Sequence, residues 1–304
     1  MSALSPAVVA AIDDLELAAR LVVEGLRTGG HRSPFHGYST EFRQHRPYRV
    51  GDDLKYLDWK LFARSDRLYT RQFRETTNLS VMIALDTSAS MDYPSDDVSK
   101  FRYGQVIAAA LAYLVSEQGH AVGLMTMEGG KLTYVPARGG RQHLRALVAR
   151  IDRLAPAGCW DPAHVIARAS QLLHRRGVVM VISDFYDAEG ETRREMRRVA
   201  QRGHDVAMLQ LTSPGELNLP YDSNVELEDM ESGDRQLVDG ARMGARYRAA
   251  ITDFLDRCRV HAMRDGLDYA LMSTEAPPEV ALRDYLLRRS RGHAAARVPV
   301  AVAE

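Results

Sequence analysis

Residues 79–91, Leu-Ser-Val-Met-Ile-Ala-Leu-Asp-Thr-Ser-Ala-Ser-Met, constrain the fold of this chain more than any other stretch. Leu79, Val81, Met82, Ile83, Ala84 and Leu85 make a short, nearly unbroken apolar run. Such a run reads as a strand buried on both faces, because a half-exposed strand would alternate. It stops at Asp86, and Asp86, Ser88 and Ser90 then place oxygen-bearing side chains at alternate positions. In an open α/β sheet the loop leaving the carboxyl end of a central strand faces the crevice where ligands bind. A carboxylate and two hydroxyls form a hard oxygen set that suits Mg²⁺ or Mn²⁺. The simpler reading is a helix N-cap, in which the same side chains satisfy free backbone N–H groups.

A second stretch repeats the pattern. Residues 177–183, Gly-Val-Val-Met-Val-Ile-Ser, read as another strand buried on both faces, and it too ends at a carboxylate, Asp184. Helical periodicity over 101–118, 142–154 and 162–175 separates the two. Strands alternating with helices imply an α/β fold with a doubly wound, mostly parallel sheet. Right-handed crossovers leave both strand tips on one edge. Further strands are expected at 121–127 and 132–135, joined by Gly129-Gly130, and at 204–211 and 267–273. Helices are expected at 191–202, 241–265 and 277–289, and a β-hairpin at about 224–239. The division predicted is 1–78, an N-terminal helix plus a β-rich segment; 79–290, the α/β domain; and 291–304, a loose tail.

Composition narrows the function classes. Forty basic and forty acidic side chains cancel over 304 residues, so no global field draws the chain to nucleic acid or a membrane surface. The longest plain apolar run, 106–115, is about half of what a membrane span needs. Two cysteines, Cys159 and Cys258, make no disulfide framework and suit a reducing compartment. The first residues lack the basic and apolar regions of a signal peptide. A soluble, cytoplasmic protein is the expectation.

The N-terminal region reads as one helix over 6–27, with Val8, Val9, Ile12, Leu15, Ala19, Val22, Val23 and Leu26 at near-helical spacing, a stripe expected to lie against the main body. Residues 31–78 change character. Arg32, Arg43, Arg46 and Arg49 interleave with Phe35, Tyr38, Phe42 and Tyr48, a pattern compatible with a nucleic-acid face. Pairing with Glu41, Asp52, Asp53 and Asp58 explains the same arginines more simply, and no nucleic-acid partner is expected. The ordered series His31-Arg-Ser-Pro34, Gly51-Asp52-Asp53, Leu57-Asp58-Trp59-Lys60, Ala63-Arg64, Arg71-Gln-Phe-Arg-Glu75 and Asp86-Thr-Ser-Ala-Ser90 resembles the bacterial Domain of Unknown Function 58 family. The resemblance runs from about the first helix to Arg289. It implies a von Willebrand factor A-like domain and a link with MoxR-type AAA+ ATPases. It also implies a MIDAS-like metal site, with Asp86, Ser88, Ser90 and Asp184 on the ligand pattern. In such domains the metal keeps one position open for a partner's Asp or Glu. The family pattern has a Thr before the helix that starts at Pro162, and this chain has Gly158-Cys159-Trp160-Asp161 instead.

The functional expectation is therefore a non-enzymatic protein-interaction module, an adaptor for a MoxR-type ATPase. The alternative is a metal-dependent hydrolase or a protease using Asp86. Leu85-Asp86-Thr87-Ser88-Ala89 is similar to an aspartic-protease loop, but that loop usually has Gly where Ser88 stands, and no second copy is found. His120, His143, His164 and His174 are scattered, and no phosphate-binding Gly-rich loop occurs.

Overall fold

The computed structural model describes residues 5–28, 38–49, 57–76, 79–93, 98–173, 175–186, 190–218, 224–231 and 233–295. The motifs at 31–34 and 51–53, His174 and the last nine residues lie outside them. Two compact units form, residues 35–79 and residues 1–34 with 80–304.

The smaller unit carries β1 (Tyr38–Pro47), α3 (Trp59–Ser65) and β2 (Tyr69–Thr76), with β1 and β2 antiparallel. Residues 68–75 alternate in character along the chain, and β2 forms over that stretch. The helix α3 escaped sequence reading, although Asp58 caps it by accepting the Leu61 N–H at 2.9 Å. The side chains of 38–45 are outside the described set, so the expected arginine pairing there is not described.

In the larger unit the two apolar runs become β3 (Ser80–Leu85) and β6 (Val178–Ser183), central neighbours in a six-stranded sheet. The other strands are β4 (Ala121–Glu128), β5 (Lys131–Arg138), β7 (Asp205–Thr212) and β10 (Asp268–Ser273), in the order β10-β7-β6-β3-β4-β5. All neighbours run parallel except β4 and β5, whose hairpin turns on Gly129 and Gly130 at φ 55° and 74°. The doubly wound, mostly parallel sheet expected from the sequence is what forms. β8 (Asn224–Glu228) and β9 (Arg235–Asp239) make the expected separate hairpin.

Helices cover both faces, and the period of two along the strands sorts the side chains between them. Met82, Ala84, Val179 and Val181 pack with Val165, Ile166 and Ala169 of α6 (Pro162–Leu172) and Met196 and Val199 of α7 (Glu191–Gln201). On the other face lies α4 (Lys100–Glu117), sandwiched between the sheet and α2 (Leu15–Thr28) and α5 (Arg141–Asp152). Burial on both sides explains its near-continuous apolar content, with Phe101 and every residue from Tyr103 to Val115 buried. Gly104 brings α4 close to the strand tips: a Cβ there would sit 3.2 Å from Leu211 and 3.3 Å from Leu85. Lys100, one turn earlier, is carried to the same tips.

Two expectations need correction. The single N-terminal helix is two, α1 (Pro6–Ala10) and α2, because Asp14 turns its carboxylate onto the N–H groups of Glu16 and Leu17 at 2.9 and 3.2 Å and starts a new helix. The apolar stripe of α2 packs on α4 in the larger unit, as a one-sided apolar helix requires. The last helix, α10 (Pro278–Ala295), runs past 291, since loss of apolar periodicity does not end a helix of Arg, Ser and Ala. Arg289 on α10, 4% exposed, ties it to the strands through Asp205 at 3.3 Å and Asp268. Among the described residues no helix is long and apolar enough to cross a membrane.

Gly123 sits where β4 and β5 slip register, and a Cβ there would lie 2.7 Å from both Ala137 N and Val135 O. Those are backbone atoms and cannot swing aside. Gly123→Ala should therefore lose roughly 1–3 kcal/mol of stability. Urea unfolding measures it, and an unchanged midpoint would contradict this packing.

Candidate functional site at the strand tips

The register Leu85↔Ile182 sets Asp86 level with Ser183, and the Asp86 N–H continues the ladder to the Ile182 carbonyl at 2.9 Å. The Asp86 carboxylate is then held from both sides. One oxygen accepts the Ser88 N–H at 2.8 Å, and the other accepts the Ser183 hydroxyl at 2.6 Å. Ser183 Oγ also accepts the Phe185 N–H at 3.0 Å, bracing a turn in which buried Phe185 adopts φ 60°. A non-glycine residue at positive φ persists only where its surroundings hold it there. Ser88 Oγ and Ser90 Oγ lie 3.0 Å apart.

The capping reading of this loop is not the one the chain uses for its helix. Ser88 precedes only a 3-10 turn, Ala89–Asp92, and makes no side-chain cap bond to it. The long helix α4 is capped by Ser99, which accepts the Arg102 N–H at 3.1 Å. Asp184 does serve its own turn, accepting the Tyr186 N–H at 3.3 Å. Its second oxygen does something else.

That oxygen, Oδ2, accepts a hydrogen bond at 2.7 Å from the ammonium of Lys100, which is completely buried. The same ammonium pairs with Glu216 Oε1 and lies 5.0 Å from the centre of the Tyr186 ring. Glu216 is placed by Ser213. Ser213 precedes the short α8 (Pro214–Asn218), and Glu216 Oε2 accepts the Ser213 N–H and hydroxyl at 3.1 and 3.0 Å. Gln210, also wholly buried, donates to the Asp184 carbonyl at 2.8 Å and accepts from the Tyr269 hydroxyl at 2.8 Å. Lys100, Glu216, Ser183 and Gln210 were not found from the sequence. The Ser213-Pro214-Gly215-Glu216 spacing was the available signal for Glu216.

Electrostatics sets the character of the crevice. Asp86 and Asp184 are 2% and 3% exposed. Burial, with the nearby Asp184 charge adding to it, pushes the Asp86 carboxyl up to about 7, against the opposing hydrogen bonds from Ser183 and Ser88. Asp184 and Glu216 thus share one ammonium, while Asp86 beside them has hydrogen bonds from Ser88 and Ser183 but no cation of its own among the described residues.

The donor set fits a hard divalent ion in kind, with carboxylates from Asp86 and Asp184 and hydroxyls from Ser88 and Ser90. Among the described residues no group of three or more His, Cys, Asp or Glu stands ready for a metal, so an ion here depends on the serines. The loop before α6 gives no oxygen from its side chains. It is tied to the site by backbone bonds, Ala89 N–H to the Gly158 carbonyl at 3.0 Å and Ala157 N–H to the Thr87 carbonyl at 2.8 Å. Cys159 is exposed, Trp160 is buried in the core with an unpartnered indole N–H, and Asp161 caps α6 through the His164 N–H at 3.0 Å. The Thr87 hydroxyl donates to the Met127 carbonyl. The four residues expected from the sequence are thus all at the β3 and β6 tips.

The family described as "Protein of unknown function DUF58" matches residues 44–258. An uncharacterized protein of Mycobacterium tuberculosis is 32% identical over 264 residues, covering 83% of each chain. The uncharacterized protein YeaD of Bacillus subtilis is 27% identical over 200 residues, 65% of this chain and 46% of that one. Among solved structures, the conserved hypothetical protein BatB of Bacteroides thetaiotaomicron aligns with TM-score 0.46 at 15% identity, over 70% of this chain and 99% of that one. The SpRpn10 VWA domain aligns with TM-score 0.41 at 12% identity, over 68% and 94%.

Proposed function

That the chain belongs to the family of proteins of unknown function DUF58 leaves its role to be read from its own site, and we propose that it is a non-enzymatic protein-interaction module working through the strand-tip crevice. In this reading Asp86, Ser88, Ser90 and Asp184 hold Mg²⁺ or Mn²⁺, and the ion offers an open position to an acidic side chain of a partner. The partner is a MoxR-type AAA+ ATPase, for which this protein acts as an adaptor. The observation that supports it is the charge imbalance at the tips, where buried carboxylates outnumber the single ammonium and two hydroxyls lie alongside. A bound cation would offset the burial and the neighbouring Asp184 charge that together raise Asp86.

Calorimetric titration with Mg²⁺ and Mn²⁺ tests the site. Binding is expected in the wild type and lost in Asp86→Ala and Asp184→Ala. Binding that survives both substitutions, or no binding at all, removes metal from the mechanism. A pull-down with the MoxR-type ATPase, with and without chelator, then tests the partner.

One observation favours a second reading. A carboxyl titrating near neutrality suits general acid–base work, and a hydrolase or protease would use Asp86 in that role. Peptidase or phosphatase turnover abolished by Asp86→Ala would establish it.

A further inference from the structure

The crevice already contains a cation of its own. Lys100 Nζ is completely buried, 2.7 Å from Asp184 Oδ2, paired also with Glu216 and faced by the Tyr186 ring. Its surroundings are built rather than incidental. Gly104 lets α4 settle onto the strand tips, and the Ser213 N–H and hydroxyl hold one Glu216 oxygen while the other meets the ammonium. Lys100 begins α4, where the helix dipole disfavours a positive charge, so the position is held by the two carboxylates against local preference. Asp184 is therefore a shared wall. On one side it meets Lys100 and Glu216; on the other it adjoins Asp86, whose carboxyl it perturbs.

We propose that Lys100 is the resident cation of the strand-tip site and competes with a divalent ion for Asp184, so that metal binds weakly while the Lys100–Asp184 pair stands. Glu216 sets the strength of that competition, because it draws the ammonium away from Asp184. The inference rests on the metal reading proposed above and names its regulation. A partner that shifts α4 or α8 would move Lys100 or Glu216 and so tune the affinity for the ion. Two like charges cannot approach a single carboxylate in a buried site without mutual cost, and the fixed one has the advantage of needing no desolvation on arrival.

Two substitutions move the affinity in opposite directions. In Lys100→Met, Asp184 loses its competitor, and Mn²⁺ binding measured by calorimetry should tighten on the order of 10–100-fold. In Glu216→Gln, the ammonium leans wholly on Asp184, and binding should weaken or vanish. Thermal unfolding gives an independent readout: Mg²⁺ should raise the midpoint of Lys100→Met by more than that of the wild type. This keeps the idea testable if Lys100→Met is too unstable to titrate without metal. If the wild type binds Mn²⁺ through Asp86 and Lys100→Met binds no tighter, the competition fails while the metal site stands. If neither protein binds Mn²⁺, both fall. Tighter binding in Glu216→Gln also overturns the proposal.

Discussion

Lys100→Met should be the most destabilising single substitution at the strand tips, lowering the unfolding free energy by ~3–5 kcal/mol in metal-free buffer at pH 7. The side chains of Lys100, Asp184 and Glu216 are 0%, 4% and 8% exposed, so water cannot replace the lost ammonium. What the substitution removes is less the attraction itself than the neutralisation of two carboxylates left behind in a buried setting. Replacing all three, as Lys100→Met/Asp184→Asn/Glu216→Gln, should therefore recover most of the loss, because no charge is left buried without a partner. The surface pair Arg27–Glu117 is the control. It is as short, at 2.5 Å, but its side chains are 62% and 41% exposed, and Arg27→Ala should change stability by no more than about 1 kcal/mol. Urea unfolding of the four proteins at one pH decides it. A Lys100→Met protein within about 1 kcal/mol of the wild type would mean that the pair carries little of the neutralisation assigned to it here.

The parts of this molecule visible in its sequence are those whose burial is written locally. β3 and β6 are buried on both faces, so their residues are apolar without alternation, and the point where each run stops marks Asp86 and Asp184. Right-handed crossovers then bring the two tips to one edge with no further information. Lys100 and Glu216 are different. They stand 84 and 116 positions from their partners in sequence, in the order Lys100 to Asp184 and Lys100 to Glu216, and no periodicity links them. A lysine at the first turn of an apolar helix violates the dipole preference, and that local conflict was the legible trace of a tertiary partner. The split between α1 and α2 was missed for a related reason. Asp13 and Asp14 fit the polar face of one continuous helix as well as a cap between two, and in the fold Asp14 caps α2 through the Glu16 and Leu17 N–H groups.

Asp86→Asn should make the protein more stable at neutral and alkaline pH, the reverse of what removing a site carboxylate usually suggests. In the folded chain Asp86 titrates at about 7, against 3.8 for an unperturbed Asp. The native state thus takes up a proton as pH falls through 7, while the unfolded chain does so only near 3.8. Between those values the folded form binds more protons, so the Asp86 contribution is fully present below about pH 4, declines as pH rises, and is flat above about 7. Each unit of difference is worth about 1.4 kcal/mol, which puts the whole effect at roughly 4 kcal/mol as an upper figure for so buried a group. Asparagine keeps the shape, still accepts the Ser88 N–H and offers its amide to Ser183 Oγ, yet brings no charge to repel Asp184. Measured in chelator, the variant and wild type should therefore agree near pH 4, diverge as pH rises towards 7 and keep a constant gap above it, with the variant above. A difference that does not grow with pH would mean that Asp86 is not held neutral by burial and Asp184. Excess Mg²⁺ should narrow the gap at pH 8 only if the crevice accepts the ion, which ties the stability of the free protein to the proposed site through one carboxylate.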